Sequence, residues 1–188
     1  MIGELVTFFY VIVLALKSSN FNAGKINANM EFFTIGVYNS TEKDFFDRLI
    51  KNKIDTFCDI RQRRGVRGAK YAFANSNRLQ KKLSSLGINY VYVPGLAPTT
   101  EIRELQYQVD DEKGERKSER TQLGKVFVTE YKKAILANFD FKQFFEELES
   151  MGAKRITFFC VEEFAEACHR SIVTDKLAKT YKYKITHL

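Results

Sequence analysis

The chain has 188 residues, enough for one globular domain that buries a substantial core without covalent staples. Its 3 cysteines are too few, and odd in number, for a disulfide framework, so thiol chemistry in a reducing, cytoplasmic setting is expected. A total of 30 Lys and Arg against 23 Asp and Glu gives a formal net charge of +7, which suits an anionic small molecule or nucleic acid and by itself establishes neither.

In chain order, the first feature is "LVTFFYVIVLAL", an uncharged apolar run over residues 5–16. It is shorter than the ~20 residues a spanning helix needs, so no stable membrane insertion is expected. Glu4 sits where a secretory signal would carry a basic flank. The expectation is an apolar N-terminal extension over residues 1–29, outside the domain proper, with Met30 as an alternative start. Residues 30–188 then form a single α/β domain.

From there the pattern is regular. "FFTIGV" reads as a first buried strand, and Thr41 with Asp44 opens a helix carrying Phe45, Leu49 and Ile50 on one side. "IDTFCDI" is a second strand. After a basic loop, Asn75 or Ser76 caps a helix with Leu79, Leu83 and Leu86, closed by Gly87. "INYVYV" is a third strand, stopped by Pro94. A short helix near Thr100 follows, then the charged run "DDEKGERKSERTQ", read as a solvated loop or frayed helix that is also placed to serve as a lid. Two helical patterns come next, over residues 126–136 and over Phe141, Phe144, Phe145, Leu148 and Met151. "RITFFC" is a fourth strand, "RSIVTDKLAKT" a helix and "YKYKITHL" a last short strand.

Strands alternating with helices predict a mostly parallel sheet of about five strands with helices on both faces, distantly rhodanese- or Rossmann-like. In such sheets ligands bind at the carboxyl ends of the strands. Three polar clusters fall there: Gly36, Tyr38 and Asn39; the loop "DIRQRRGVRGAKYAF"; and "CVEEFAEACHRS". In the loop, Arg61, Arg63, Arg64, Arg67 and Lys70 occur with no acid among them, beside Tyr71 and Phe73. Guanidinium forks bind phosphate, and cations interleaved with rings suit a nucleotide or single strand. The structural alternative pairs Asp59 with Arg61 and buries Phe73.

"CVEEFAEACHRS" admits three readings. In the first, a low-pKa cysteine at a helix start is a nucleophile, with Arg170 holding an anion and Glu162 or His169 moving protons. In the second, Cys160, Cys168, His169 and a carboxylate bind zinc; the spacing is not that of a zinc knuckle, and adjacent Cys-His disfavours it. In the third, Cys160 is a buried strand residue and the Cys-His-Arg triplet caps a helix.

"TIGVYN", "CDIR", "YAFANSNRLQKKLSSLGINYVYVPGLAPT" and "CVEEFAEACHRSIVTDKLA" together resemble the family catalogued as domain of unknown function 488, over residues 33–188. The resemblance implies an α/β fold and sites at Asp59, Arg61, Cys160, Glu162, Cys168, His169 and Arg170, and it implies no particular activity. Val37 stands where many members carry histidine, and Leu96-Ala97-Pro98 where many show Leu-Gly-Gly. A weaker similarity to rhodanese-like sulfurtransferases and cysteine phosphatases lacks their short anion cradle, since Cys168 and Arg170 are only two positions apart.

The functional expectation is an intracellular enzyme acting on an anionic, phosphate-bearing, nucleotide-like substrate. Cys160, Glu162, Cys168, His169 and Arg170 form its catalytic set; Asn39, Asp59, Arg61, Tyr71 and Phe73 bind substrate, with Arg61 and Arg170 clamping the anion. The alternative is a non-catalytic nucleic-acid-binding module using the basic loop 61–73. No cofactor is specified, and zinc ranks last.

Overall fold

The computed structural model describes residues 29–188, so the apolar run and the extension expected before residue 29 lie outside the described residues. Five strands, β1 (Glu31–Ile35), β2 (Thr56–Asp59), β3 (Asn89–Tyr92), β4 (Arg155–Phe159) and β5 (Ile185–His187), form one sheet in the order β3-β2-β4-β1-β5. Every pair is parallel. Six helices supply the crossovers: α1 (Glu42–Lys51), α2 (Ser76–Ser85), α3 (Thr100–Lys113), α4 (Lys125–Tyr131), α5 (Phe141–Ser150) and α6 (His169–Tyr181), with a π-helical turn over Lys132–Leu136 extending α4. The expected α/β architecture is therefore the observed one. Among the described residues, no helix is long and apolar enough to cross a membrane.

The alternation of side chains along each strand divides the core in two. Phe32, Cys58, Ile156 and Phe158 face Phe144, Phe145 and Leu148 of α5 and Val173 and Leu177 of α6. Phe33, Ile35, Phe57 and Phe159 face Phe45, Phe46 and Leu49 of α1 and Leu79 and Leu83 of α2. Burial on both faces explains why the inner strands read as continuous apolar runs. β3 lies at a sheet edge and is partly exposed.

Three local expectations are corrected. Phe46, not Ile50, takes the buried place on α1, because the helix presents Phe45, Phe46 and Leu49 to the sheet and leaves Ile50 exposed. The helix near Thr100 is not short: the Thr99 hydroxyl accepts from the Ile102 N–H, and α3 continues through 14 residues to Gly114 in the left-handed region. Nor is the charged run solvated throughout, since Asp110 and Arg120 are buried. They pay for their desolvation in ion pairs described below.

Candidate functional site

β2, β4 and β1 are adjacent, so the segments leaving their carboxyl ends converge. They enclose a cleft of about 610 Å³ lined by Tyr38 after β1, by Arg61, Gln62, Arg63, Val66, Arg67 and Tyr71 after β2, and by Cys160, Glu162, Cys168 and His169 after β4. Gly36 makes this convergence feasible. A Cβ there would stand 1.9 Å from the Glu162 carbonyl oxygen, so only glycine lets β1 pass this close. Just beyond, the Val37 and Tyr38 N–H groups donate to the Val161 carbonyl.

Residues 160–168 form no regular element, and two arginines satisfy three of their backbone acceptors. Arg170 donates to the carbonyls of Glu162 (2.7 Å) and Glu163 (2.6 Å). Arg120 donates to the Ala167 carbonyl, to Asp110 (2.8 Å) and to Glu162 Oε1 (3.1 Å). Lys117 approaches the same Glu162 oxygen at 3.2 Å. Burial raises the Glu162 pKa, but Lys117 and Arg120 outweigh it and hold the carboxyl well below the usual carboxylate range. The same carboxylate raises the Lys117 pKa against the opposing effect of burial.

On the floor, the Cys160 sulfur lies 3.1 Å from Glu162 Oε2 and 3.9 Å from His169 Nδ1. The Cys168 sulfur lies 3.7 Å from that nitrogen. His169 Nε2 stands 3.0 Å from the Ile60 carbonyl oxygen, which can only accept, so Nε2 carries a proton and Nδ1 faces the sulfurs. Burial, reinforced by Cys168 and Glu162, pushes the Cys160 thiol well above the ordinary thiol range. Burial lowers the His169 pKa, yet Cys160, Glu162 and the Ile60 carbonyl raise it by more. The donor atoms of Cys160, Cys168 and His169 all lie within 4.8 Å of one another. Folding therefore removes the spacing objection to zinc. Cys168 is extended (φ −139°, ψ 145°) and His169 begins α6, so the two consecutive side chains meet on one side.

Of the expected site residues, Cys160, Glu162, Cys168 and His169 come together at the cleft. Arg61 lines it, but its guanidinium is engaged by both Asp59 oxygens (2.9 and 2.7 Å) and the Ala74 carbonyl, and lies 4.4 Å from the Phe159 ring centre. Tyr90 donates to Asp59 at 2.8 Å, so Asp59 belongs to this buried network. Arg170 spends both terminal nitrogens on carbonyls. Tyr71 lines the cleft, and its hydroxyl accepts from the Asn39 N–H; the Asn39 side chain donates to Glu163. Phe73 is buried against Phe45 and Phe46.

Sequence reasoning missed Lys117 and Arg120, whose signal is lost in a run where every charged residue looks alike. It also missed Arg103, which lines the cleft and donates to Gln62 and Tyr107. Asn75 takes the cap position of α2, but its side chain accepts from the Val66 N–H and thereby anchors the basic loop.

A family model described as "Domain of unknown function DUF488" matches residues 41–177, more than half of the chain. No curated protein and no solved structure shows a match. The chain belongs to the DUF488 family.

Proposed function

We propose that the protein is an enzyme whose reaction centre is the Cys160, Glu162, Cys168 and His169 cluster and whose substrate is a phosphate-bearing small molecule of nucleotide type. One observation carries this reading. The thiols, carboxylate and imidazole share the floor of a cleft whose wall includes Arg63, Arg67 and Arg103, and among the described residues none of these three forms an ion pair. Phosphate oxygens supply the charge those guanidiniums lack. Tyr38 and Tyr71, with ring centres 5.3 Å apart at the cleft, offer aromatic surface for a base or sugar.

The anion contacts thus move from Arg61 and Arg170 to the wall. Arg61 acts through Asp59 and Ala74, and Arg170 through the carbonyls of the loop; both are positioning residues. Glu162, its Oε1 held by Lys117 and Arg120, presents Oε2 to the cluster as a fixed negative charge 3.1 Å from the Cys160 sulfur.

A nucleic-acid module using residues 61–73 fits less well, because Phe73 is packed in the core and has no face for a base. Calorimetric titration with inorganic phosphate, nucleoside monophosphates and a short single-stranded RNA separates the two readings. The enzyme reading expects a mononucleotide to bind and Arg67→Ala to weaken it. RNA binding that falls steeply with salt, without mononucleotide binding, supports the module instead.

A further inference from the structure

The geometry points to a zinc site formed by the Cys160 and Cys168 thiolates and His169 Nδ1, with its remaining coordination position open to the cleft. In a tetrahedral zinc site a sulfur and a nitrogen ligand stand about 3.6 Å apart, given metal bonds of about 2.3 and 2.0–2.1 Å. The observed separations are 3.9 Å from Cys160 and 3.7 Å from Cys168 to the same nitrogen, so a small inward movement of the sulfurs closes the site. The third pair, sulfur to sulfur, falls within the same 4.8 Å limit.

Three further observations favour a metal over a chance gathering of thiols. First, His169 directs Nδ1 at both sulfurs and fixes Nε2 on the Ile60 carbonyl, the backbone bond that typically orients a metal-bound imidazole. Second, two soft thiolates and an imidazole are the donor set that selects zinc over the oxygen-seeking cations. The dication balances the two negative charges that deprotonated sulfurs would otherwise bring into a buried site.

Third, the ligands sit where the chain leaves β4 and enters α6: Cys160 directly follows β4, Cys168 is the N-cap of α6 and His169 its first residue. The Tyr131 ring, 5.5 Å from that of His169, packs beside the imidazole. A structural zinc site is closed by four protein ligands, whereas a catalytic one keeps three and leaves a place for water or substrate. Among the described residues only three donors converge here, Glu162 is not among them, and all three residues line the cleft. Binding releases one proton from each thiol and leaves the imidazole neutral, with its proton on Nε2.

The ion itself rests on these ligand atoms; its use in turnover rests on the enzyme reading above. The test uses the full-length protein, stripped with a chelator and kept reduced, titrated with zinc against a chromophoric competitor and separately with cobalt(II). The expected result is one equivalent of zinc, and with cobalt a sulfur-to-metal charge-transfer band together with the visible bands of a tetrahedral ion. Cys160→Ser and Cys168→Ser should each weaken zinc by more than about 100-fold, beyond the 10–100-fold cost of losing a supporting group. Cys58→Ala, in the core away from the cluster, should leave zinc affinity unchanged. Absence of the charge-transfer band in the wild type, or undiminished zinc binding in both serine variants, overturns the proposal. If a serine variant fails to fold, the wild-type cobalt spectrum still decides. The two readings fail separately: a protein that binds mononucleotide but no zinc loses only the metal, and one that binds zinc but no anion loses only the substrate.

Discussion

Arg120 holds the carboxylate of Glu162 at 3.1 Å although 42 positions separate them in the chain. Its other terminal nitrogen binds Asp110 at 2.8 Å, so one buried guanidinium joins the end of α3 to the segment after β4. Truncating one partner of a buried ion pair leaves the others uncompensated and costs about 3–5 kcal/mol. Arg120→Ala should therefore lower stability by that order in urea unfolding. Asp110→Asn should cost less, and the double variant less than the sum, because both remove the same contact.

Gly36→Ala should be far more damaging than Gly68→Ala. At Gly36 the added carbon meets backbone, the Glu162 carbonyl oxygen at 1.9 Å, whereas Gly68 has nothing within 4 Å and only a φ of +85° to protect. Overpacking of the first kind costs about 1–3 kcal/mol or more. The strain of the second is about 1 kcal/mol. Thermal melts of the two variants rank them, and equal losses would contradict the close approach.

The Asp59–Arg61–Tyr90 network supports the cleft wall from beneath. Tyr90→Phe removes one hydrogen bond to a carboxylate, worth about 1.5–3 kcal/mol, without changing shape. Arg61→Lys should cost at least as much, since a lysine cannot reproduce the two-pronged contact with Asp59 or reach the Ala74 carbonyl at the same time. Chemical denaturation of the single and double variants measures their coupling; strict additivity would show the two side chains acting independently.

Arg63 and Arg67 behave differently because they are exposed. Alanine at either position should change stability by no more than about 0.5 kcal/mol, as surface substitutions do. The same changes should weaken nucleoside monophosphate binding in calorimetry and flatten its salt dependence. A loss of stability with unchanged binding would reverse the roles given to these residues and to Arg61.

Much of this was legible before folding. The strands announced themselves because a parallel sheet buried on both faces leaves continuous apolar runs such as "RITFFC". Cys160, Glu162, Cys168 and His169 stood out because their residue types gather at a strand-to-helix turn. The partners of Arg61 were open to either reading: its position at a strand end favoured a ligand, and only the folded geometry commits its fork to Asp59 and Ala74. Lys117 and Arg120 were invisible for a physical reason, since local sequence cannot say which charge of a dense run will find a buried carboxylate 40 or more residues away. The metal-like arrangement was hidden for a related one. Ligand spacing along the chain does not say how a loop folds, and here the segment between β4 and α6 turns back so that its two ends bring the donors together.

The most direct measurement is turnover. Nucleoside mono- and diphosphates are incubated with wild-type protein, supplied with zinc and kept reduced, and products are followed by mass spectrometry alongside Glu162→Gln and Arg67→Ala. The wild type should form a product, Glu162→Gln should lose it, and Arg67→Ala should show a higher KM. A product formed equally by wild type and Glu162→Gln, or no conversion of any phosphate-bearing compound that binds, would contradict a reaction centre at the floor of this cleft.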